Sequence, residues 1–263
     1  MRADAEPQLP PWCRAIRADN PGPMTLEGTN TYIVRTAAGN VVIDPGPLLE
    51  EHLRAVAAEG PVAMAVLTHH HDDHSGGAQR FHELTGAPVV ARDPALCRGG
   101  ASLPPDGQRL DVAGRDLRVV DTPGHTRDSI CVIADDGAVL FSGDTVLGRG
   151  TTVVMHPDGD LGDYLASLAT LREQAAPGCL LLPGHGPRRA DAAAVITGYI
   201  EHRARRLDEV RAALAAGART ARDVVEIVYA DVDRSLWPAA EQTVQAALEH
   251  LSGRGDATAR RRA

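Results

Sequence analysis

Residues 68–77, Thr-His-His-His-Asp-Asp-His-Ser-Gly-Gly, constrain this chain more than any other stretch, and the apolar run 64–67 stands directly before them. A short apolar run of this kind reads as a buried strand. Gly76-Gly77 and a helix-like pattern over 78–84 follow. The histidines therefore stand on a loop leaving the carboxyl end of a strand, where open α/β sheets place their ligands and their chemistry.

Within the stretch, His69, His71, Asp73 and His74 form His-x-His-x-Asp-His. Imidazole nitrogens and carboxylate oxygens are borderline ligands that suit zinc, with iron and manganese as alternatives. Four such groups within six residues do not easily reach one ion. The spacing suits two neighbouring metals, His69 and His71 on the first, Asp73 and His74 on the second. His70 and Asp72 occupy the intervening positions and stay off the metals.

Along the rest of the chain, the first 24 residues read as an irregular arm, with prolines at 7, 10, 11, 21 and 23. Two strands joined by a turn are expected over 31–35 and 41–44, then a helix over 48–59 that stops at Gly60-Pro61. A short strand at 88–91 and a hairpin over 109–112 and 116–121 come next. Thr122-Pro123-Gly124-His125-Thr126 is a loop centred on a histidine. Strands at 130–134 and 138–141 flank the turn Asp135-Asp136-Gly137. Ser142-Gly143-Asp144-Thr145 is a second loop; a helix over 164–174 and a strand over 179–182 lead to a third, Pro183-Gly184-His185-Gly186-Pro187. From about residue 190 the pattern is helical, over 190–216, 221–230 and 238–251. A basic tail over 253–263 is expected to fray. His52, His82 and His250 fall on helical patterns and read as surface residues.

The chain's 263 residues permit one large domain, or one domain with a small appendage. No apolar run reaches the roughly 18 residues of a membrane span, and the first residues lack the apolar core of a secretory signal; a cytoplasmic protein is expected. Cys13, Cys97, Cys131 and Cys179 are scattered and read as reduced thiols. The net charge of −8 argues mildly against an extended nucleic-acid surface. Every basic side chain other than histidine is arginine, so no lysine is available to anchor a phosphate or carboxylate.

His69, His71, Asp73, His74, His125, Asp144 and His185 together supply five imidazoles and two carboxylates. That inventory suits two metals about 3.5–4 Å apart with an aspartate between them. The expected division puts His69, His71 and His125 on one ion, Asp73, His74 and His185 on the other, and Asp144 as the bridge.

The succession THHHDDHSGG, DTPGHT, FSGDT and PGHGP resembles the metallo-β-lactamase superfamily of two-metal hydrolases, over residues 25–190. The resemblance implies an αββα sandwich with the site at one edge of its two sheets, and the same ligand division. It makes Asp44, in VIDPG, the acidic residue beneath the site that orients a ligand histidine, although a turn or cap role is equally consistent with its setting. TLEGTNTYIV, GRGTTVV and YIEHRARRLDEV are similar to the β-lactamase-like endoribonuclease branch, which carries a winged-helix-like appendage, here expected over 201–263. Animal members of that branch cut single-stranded RNA, and fungal relatives in polyketide pathways hydrolyse carrier-bound thioesters. Asp144 argues against antibiotic hydrolysis, since β-lactamases of this fold lack the bridging aspartate. The missing lysine argues against the glyoxalase-II branch and its glutathione anchor.

The reaction expected is hydrolysis of a thioester or similar small acyl substrate by water activated on two zinc ions; single-strand RNA cleavage at the same site is the alternative. A third reading, in which the metals are structural and the appendage binds DNA, is disfavoured because structural zinc sites are usually closed and sulfur-rich. Asp73 would accept a hydrogen bond from the nucleophile. His202 and His156 are candidate general acids, Asn30 and Thr31 candidate pocket residues, and Arg203, with Arg205 and Arg206, a candidate substrate anchor. A homodimer is compatible with the sequence.

Overall fold

The computed structural model describes residues 6–253 except 111 and 113; the expected basic tail lies outside the described residues. Strands β1 (Cys13–Arg17), β2 (Asn30–Thr36), β3 (Gly39–Ile43), β4 (Val62–Val66) and β5 (Val89–Val90) form one sheet in that order. β6 (Leu117–Asp121), β7 (Ile130–Ala134), β8 (Val139–Gly143) and β9 (Leu180–Pro183) form the second. β1 to β3 pair antiparallel, as do β6 to β8, whereas β3–β4, β4–β5 and β8–β9 are parallel. Parallel neighbours need a crossover. Helix α1 (Glu50–Ala57) supplies the first, α2 (Asp72–Ser75) with α3 (Ala78–Thr85) the second, and α4 (Leu161–Gln174) the third.

Alternation along the strands assigns each side chain to a layer. Tyr32, Val34, Val41 and Ile43 face the second sheet, meeting Leu117, Val119, Val132 and Phe141. Tyr32 and Phe141 touch edge-on, with ring centroids 5.4 Å apart. The odd-phase residues Ile33, Val42 and Ala65 turn outward onto Leu53 and Val56 of α1 and Phe81 of α3. On the second sheet Val120, Cys131, Ile133, Leu140 and Leu181 turn outward onto α4 and onto α5 (Ala192–Ala215). The result is the expected αββα sandwich. Both sheets are covered on both faces, which is why their strands read as nearly continuous apolar runs.

Helices α6 (Ala221–Val228) and α7 (Trp237–Leu251) extend the outer layer. Val224, Val225, Trp237 and Val244 share one apolar cluster with Tyr199, Leu207 and Val210 of α5 and with α4. Thr220 opens α6 with a capping box closed by Asp223, a device that satisfies two orphan amide donors. The division expected near residue 200 falls inside α5, a continuous 24-residue helix. No helix among the described residues is long and apolar enough to cross a membrane.

Two local expectations need correction. The arm expected to be irregular over 1–24 contains β1, an edge strand in register with β2 from Cys13↔Val34 to Arg17↔Asn30. Its five residues carry arginine at both 14 and 17, a common guard on sheet edges that hides the strand from a hydrophobic pattern. Among the described residues, the hairpin expected over 109–112 and 116–121 keeps β6 and the bridge Arg109↔Arg118, with the Leu110 amide on the Leu117 carbonyl at 2.8 Å.

Candidate metal centre

Four strand ends, one from the first sheet and three from the second, deliver the ligand-type residues to one edge. β4 leads into His69–His74, β6 into His125, β8 into Asp144 and β9 into His185. Asp72 to Ser75 coil into the single turn α2, which turns Asp73 and His74 inward. Close approach depends on glycine at 184: a Cβ there would lie 2.5 Å from Asp144 Oδ1 and 2.6 Å from His74 Cε1. Gly143, at φ +48°, lets β8 pass over Thr68, where a Cβ would meet Oγ1 at 2.6 Å.

Ligand-type atoms converge in two triads. His69 Nε2 lies 3.0 Å from His71 Nδ1, which lies 3.2 Å from His125 Nε2. Asp73 Oδ2 lies 3.3 Å from His74 Nε2 and 3.0 Å from His185 Nε2, and those two nitrogens are 3.2 Å apart. Two ligands about 2.05 Å from one zinc ion, at a tetrahedral angle, stand about 3.3 Å from each other. Both triads are therefore already at coordination spacing. Asp144 stands between them, with Oδ1 3.4 Å from His74 Nε2 and Oδ2 3.4 Å from His185 Nε2 and 3.9 Å from His125 Nε2. His69, His74 and Asp144 form a third overlapping group that spans the two triads. Asp144 Oδ1 is buried and accepts no hydrogen bond, an arrangement that is costly for a carboxylate unless a cation meets it.

The outer nitrogen of four rings is held, which leaves the inner one as the ligand atom, bare where the ring is neutral and freed where a metal displaces its proton. His74 Nδ1 donates to Asp44 Oδ2 at 2.8 Å, and His125 Nδ1 to the Val153 carbonyl at 2.7 Å. His185 Nδ1 donates to the Gly28 carbonyl at 3.3 Å. His69 Nδ1 donates to Thr68 Oγ1 at 3.0 Å, and that hydroxyl donates onward to Asp44 Oδ2 at 2.8 Å. Asp44 thus serves both triads. The Thr68 amide fills its other oxygen at 2.7 Å.

The two triads differ in electrostatics. Burial pushes the His69 imidazole well below its ordinary value, and His74 and His125 add to the effect. Burial, then His125, lowers His71 to about 4; burial also lowers His125. These three rings are neutral at pH 7. Burial opposes charge in the second triad too, but there the carboxylates outweigh it. Asp144 and Asp44 hold His74 well above its ordinary value, and Asp144 and Asp73 raise His185 to about 9. In return, against burial, His74 and His185 hold Asp144 well below the usual carboxylate range, and His185 and His74 lower Asp73. This triad binds positive charge, which a metal ion supplies by displacing protons.

Other residues singled out in the sequence lie elsewhere. Arg203 is 4% exposed; its guanidinium donates to the Thr152 carbonyl and lies over the Tyr164 ring. It braces the loop behind the site and presents no anchor to a substrate. Thr31 is fully buried with its hydroxyl on His52 Nε2 at 2.9 Å, so neither residue is at a surface. Asn30 Nδ2 donates to the Pro183 and Gly186 carbonyls, both at 3.0 Å, and so shapes the turn carrying His185. His202 lines a cleft with Thr151 and Thr152, whereas His156 pairs with Glu249 at 3.2 Å. Arg206 pairs with Glu209 at 2.7 Å. His70 points away from both triads, with Nδ1 on Asp128 at 2.8 Å.

Sequence reasoning missed Thr29 and Asn20. Thr29 Oγ1 donates to Asp73 Oδ2 at 3.2 Å, and Asn20 clasps Thr29 through both its amide and its hydroxyl, at 2.9 and 3.0 Å. The strand-like GTNTY pattern places Thr29 one residue before β2 but carries no sign of a partner 44 residues away.

Comparison with known proteins agrees with this architecture. The family model described as metallo-beta-lactamase superfamily matches residues 24–185, and the beta-lactamase associated winged helix domain matches 220–261. A beta-lactamase-like protein 2 homolog of Caenorhabditis elegans is 34% identical over 249 residues, covering 90% of this chain and 82% of the relative. A protein of Aspergillus chevalieri named atrochrysone carboxyl ACP thioesterase is 34% identical over 257 residues, 90% of this chain and 80% of the relative. Among solved structures, a beta-lactamase domain protein from Burkholderia ambifaria superposes with a TM-score of 0.79 at 24% identity, over 94% of this chain and 88% of that one; this likeness concerns the fold alone. The matched family model spans the loops that carry His69 to His74, His125, Asp144 and His185, and with it this chain belongs to the metallo-beta-lactamase superfamily of hydrolases, with a beta-lactamase-associated winged helix at its carboxyl end.

Proposed function

We propose that the chain hydrolyses a small acyl thioester at a centre of two divalent ions. His69, His71 and His125 hold one ion, Asp73, His74 and His185 the other, and Asp144 spans them. The observation that carries this reading is the pair of triads at coordination spacing with Asp144 between them, its buried Oδ1 accepting no hydrogen bond. Zinc suits the all-nitrogen triad and the mixed one, neither of which contains sulfur; iron and manganese suit the same donors less selectively. Bound ions of this kind supply an activated water and polarise the acyl oxygen.

The chain's own residues do the remaining work. Asp73, with side-chain exposure of 26%, sits at the mouth of the second triad, where it would accept a hydrogen bond from incoming water and orient it. Asp44 and the Val153 and Gly28 carbonyls keep ring protons pointing outward, so three inner nitrogens stay available. Thiolate is a good leaving group, so expulsion requires no strong general acid. His202 on the cleft wall is therefore dispensable for a thioester and useful only for an alkoxide.

The Aspergillus relative's name supports the thioester reading. The acidic net charge of −8 favours it over a polynucleotide substrate. The test is one metal-loaded preparation assayed on acyl thioesters, S-lactoylglutathione, a cephalosporin and single-stranded RNA. Preferential thioester turnover with two metal equivalents per chain is expected. RNA cleavage without thioester turnover, or fewer than two equivalents at saturation, overturns the proposal.

A further inference from the structure

We propose that the hydrocarbon part of the acyl group lies in the groove between the loop 151–153 and the C-terminal helices; this rests on the thioester reading. The groove is a cavity of about 260 Å³. Its apolar lining includes Met24, Val153, Val232, Leu236 and Ala240. Met24 and Leu236 are 47% and 43% exposed, so two of the five exposed large hydrophobic residues of the described chain line this one groove. Scattered apolar side chains on a surface need no explanation, but two that line the same cleft indicate an apolar occupant.

The groove and the metal centre share a wall. Thr152 Oγ1 donates to the Asp144 carbonyl at 2.7 Å, and the Val153 carbonyl receives His125 Nδ1 at 2.7 Å. The loop that backs two candidate ligands therefore also lines the groove. Thr152 and Val153 thus put the groove one residue layer from Asp144 and His125, within reach of the tail of a substrate whose carbonyl carbon is at the centre.

Charge selects between an acyl tail and a polynucleotide. The groove holds two arginines: Arg203 is 4% exposed, with its buried Nε lacking a hydrogen-bond partner, and Arg206 is paired. Arg203 caps the Thr152 carbonyl. Arg206 pairs with Glu209, donates to the Val228 carbonyl at 3.2 Å and lies over the Tyr229 ring. Burial first, and then Arg203, lowers the His202 imidazole below its ordinary value, so it is neutral at pH 7. Arg203 is buried and Arg206 is already paired, so neither offers an open guanidinium fork to a phosphate, whereas each methylene buried here strengthens binding about fourfold.

The test uses the full-length protein and two series of N-acetylcysteamine derivatives. Hydrolysis is measured on acetyl, butyryl and octanoyl thioesters, and binding of the inert S-ethyl and S-octyl thioethers by calorimetry. In the wild type, the octanoyl-to-acetyl ratio of kcat/KM and the S-octyl-to-S-ethyl affinity ratio both exceed about tenfold. Leu236→Glu and Met24→Glu, at exposed positions, each reduce both ratios about tenfold. Ile227→Glu, an exposed apolar residue outside the groove, leaves both unchanged. Ratios near one in the wild type, or ratios insensitive to both groove variants, overturn the proposal. Chain-length-dependent thioether binding that Leu236→Glu abolishes, without turnover of any thioester, keeps the groove and overturns thioester hydrolysis. Displacement of the S-octyl thioether by single-stranded RNA, with Leu236→Glu without effect, assigns the groove to a polynucleotide and overturns the acyl assignment.

Discussion

Asp44→Asn isolates one electronic feature of the centre. Asp44 has φ +52° and is 2% exposed. Asparagine tolerates that left-handed backbone well and matches aspartate in shape, so neither strain nor a cavity confuses the result. The Thr68 amide donates to Oδ1, so the new amide must keep its oxygen there. Its NH2 group then replaces Oδ2 and faces both His74 Nδ1 and the Thr68 hydroxyl, each at 2.8 Å. Two donors cannot share the His74 contact. His74 must move its proton to Nε2, the atom aimed at Asp73, His185 and Asp144, or leave a buried N–H unpaired. Loss of a charged hydrogen bond costs about 1.5–3 kcal/mol, and loss of a carboxylate behind a ligand histidine weakens metal about 10–100-fold, or about 1.4–2.7 kcal/mol. The two scales agree. Zinc titrated against a chromophoric chelator should show the second equivalent weakened by that factor, with the first less affected because His125 and His71 do not depend on Asp44. Wild-type affinity for both equivalents in Asp44→Asn would refute the claim that this carboxylate sets the His74 tautomer.

Asp144→Ala should abolish hydrolysis while circular dichroism and melting stay near wild type; full activity retained would remove Asp144 from the bridging position. Thr29→Val keeps the shape of the side chain but deletes the donor to Asp73, a loss of about 1 kcal/mol. It should weaken the second metal equivalent about fivefold, and Thr29→Ser should restore it; equal affinity in Val and Ser variants would show that the contact contributes nothing. The metal-free protein should be most stable near pH 6.5. Below that value, the depressed His69, His71 and His125 stay neutral in the fold while the unfolded chain takes up protons, so stability falls towards pH 4. Above it, the raised His74 and His185 hold protons that the unfolded chain releases, so stability falls as pH rises through about 9. Melting temperatures of chelator-treated protein from pH 4 to 9.5 test this, and a flat profile, or a maximum at either end, contradicts it.

The ligand set was legible because its signal is local. His69 to His74 carry their own spacing, and His125, Asp144 and His185 each stand in a loop bounded by glycine after an apolar run. What orients those ligands is mostly invisible in a sequence. His125 and His185 are set by the carbonyls of Val153 and Gly28, and any residue supplies a carbonyl. Thr29 reaches Asp73 only because β2 runs beside the turn that carries His185, through the bridge Thr29↔His185. Arg203 is a different case, since its signal was present. Ile196, Tyr199, Arg203, Leu207 and Val210 recur at helical spacing and form the buried stripe of α5. An arginine inside such a stripe belongs to the core side of its helix. Charge type outweighed position when it was read as a substrate anchor.

That burial bears on how the two halves of the molecule act together. Thr152 joins the Asp144 carbonyl through its hydroxyl and Arg203 through its own carbonyl. Arg203 in turn sits on α5, whose continuous length packs against α4 on one side and α6 and α7 on the other. A shift of the C-terminal helices therefore reaches Asp144 through two hydrogen bonds and a rigid helix, not through solvent. An occupant of the groove bears on Val153, and so on the loop that holds His125. Substrate length and metal geometry are then coupled, and by linkage metal loading must change the affinity for a long acyl chain by the factor with which that chain changes the affinity for metal.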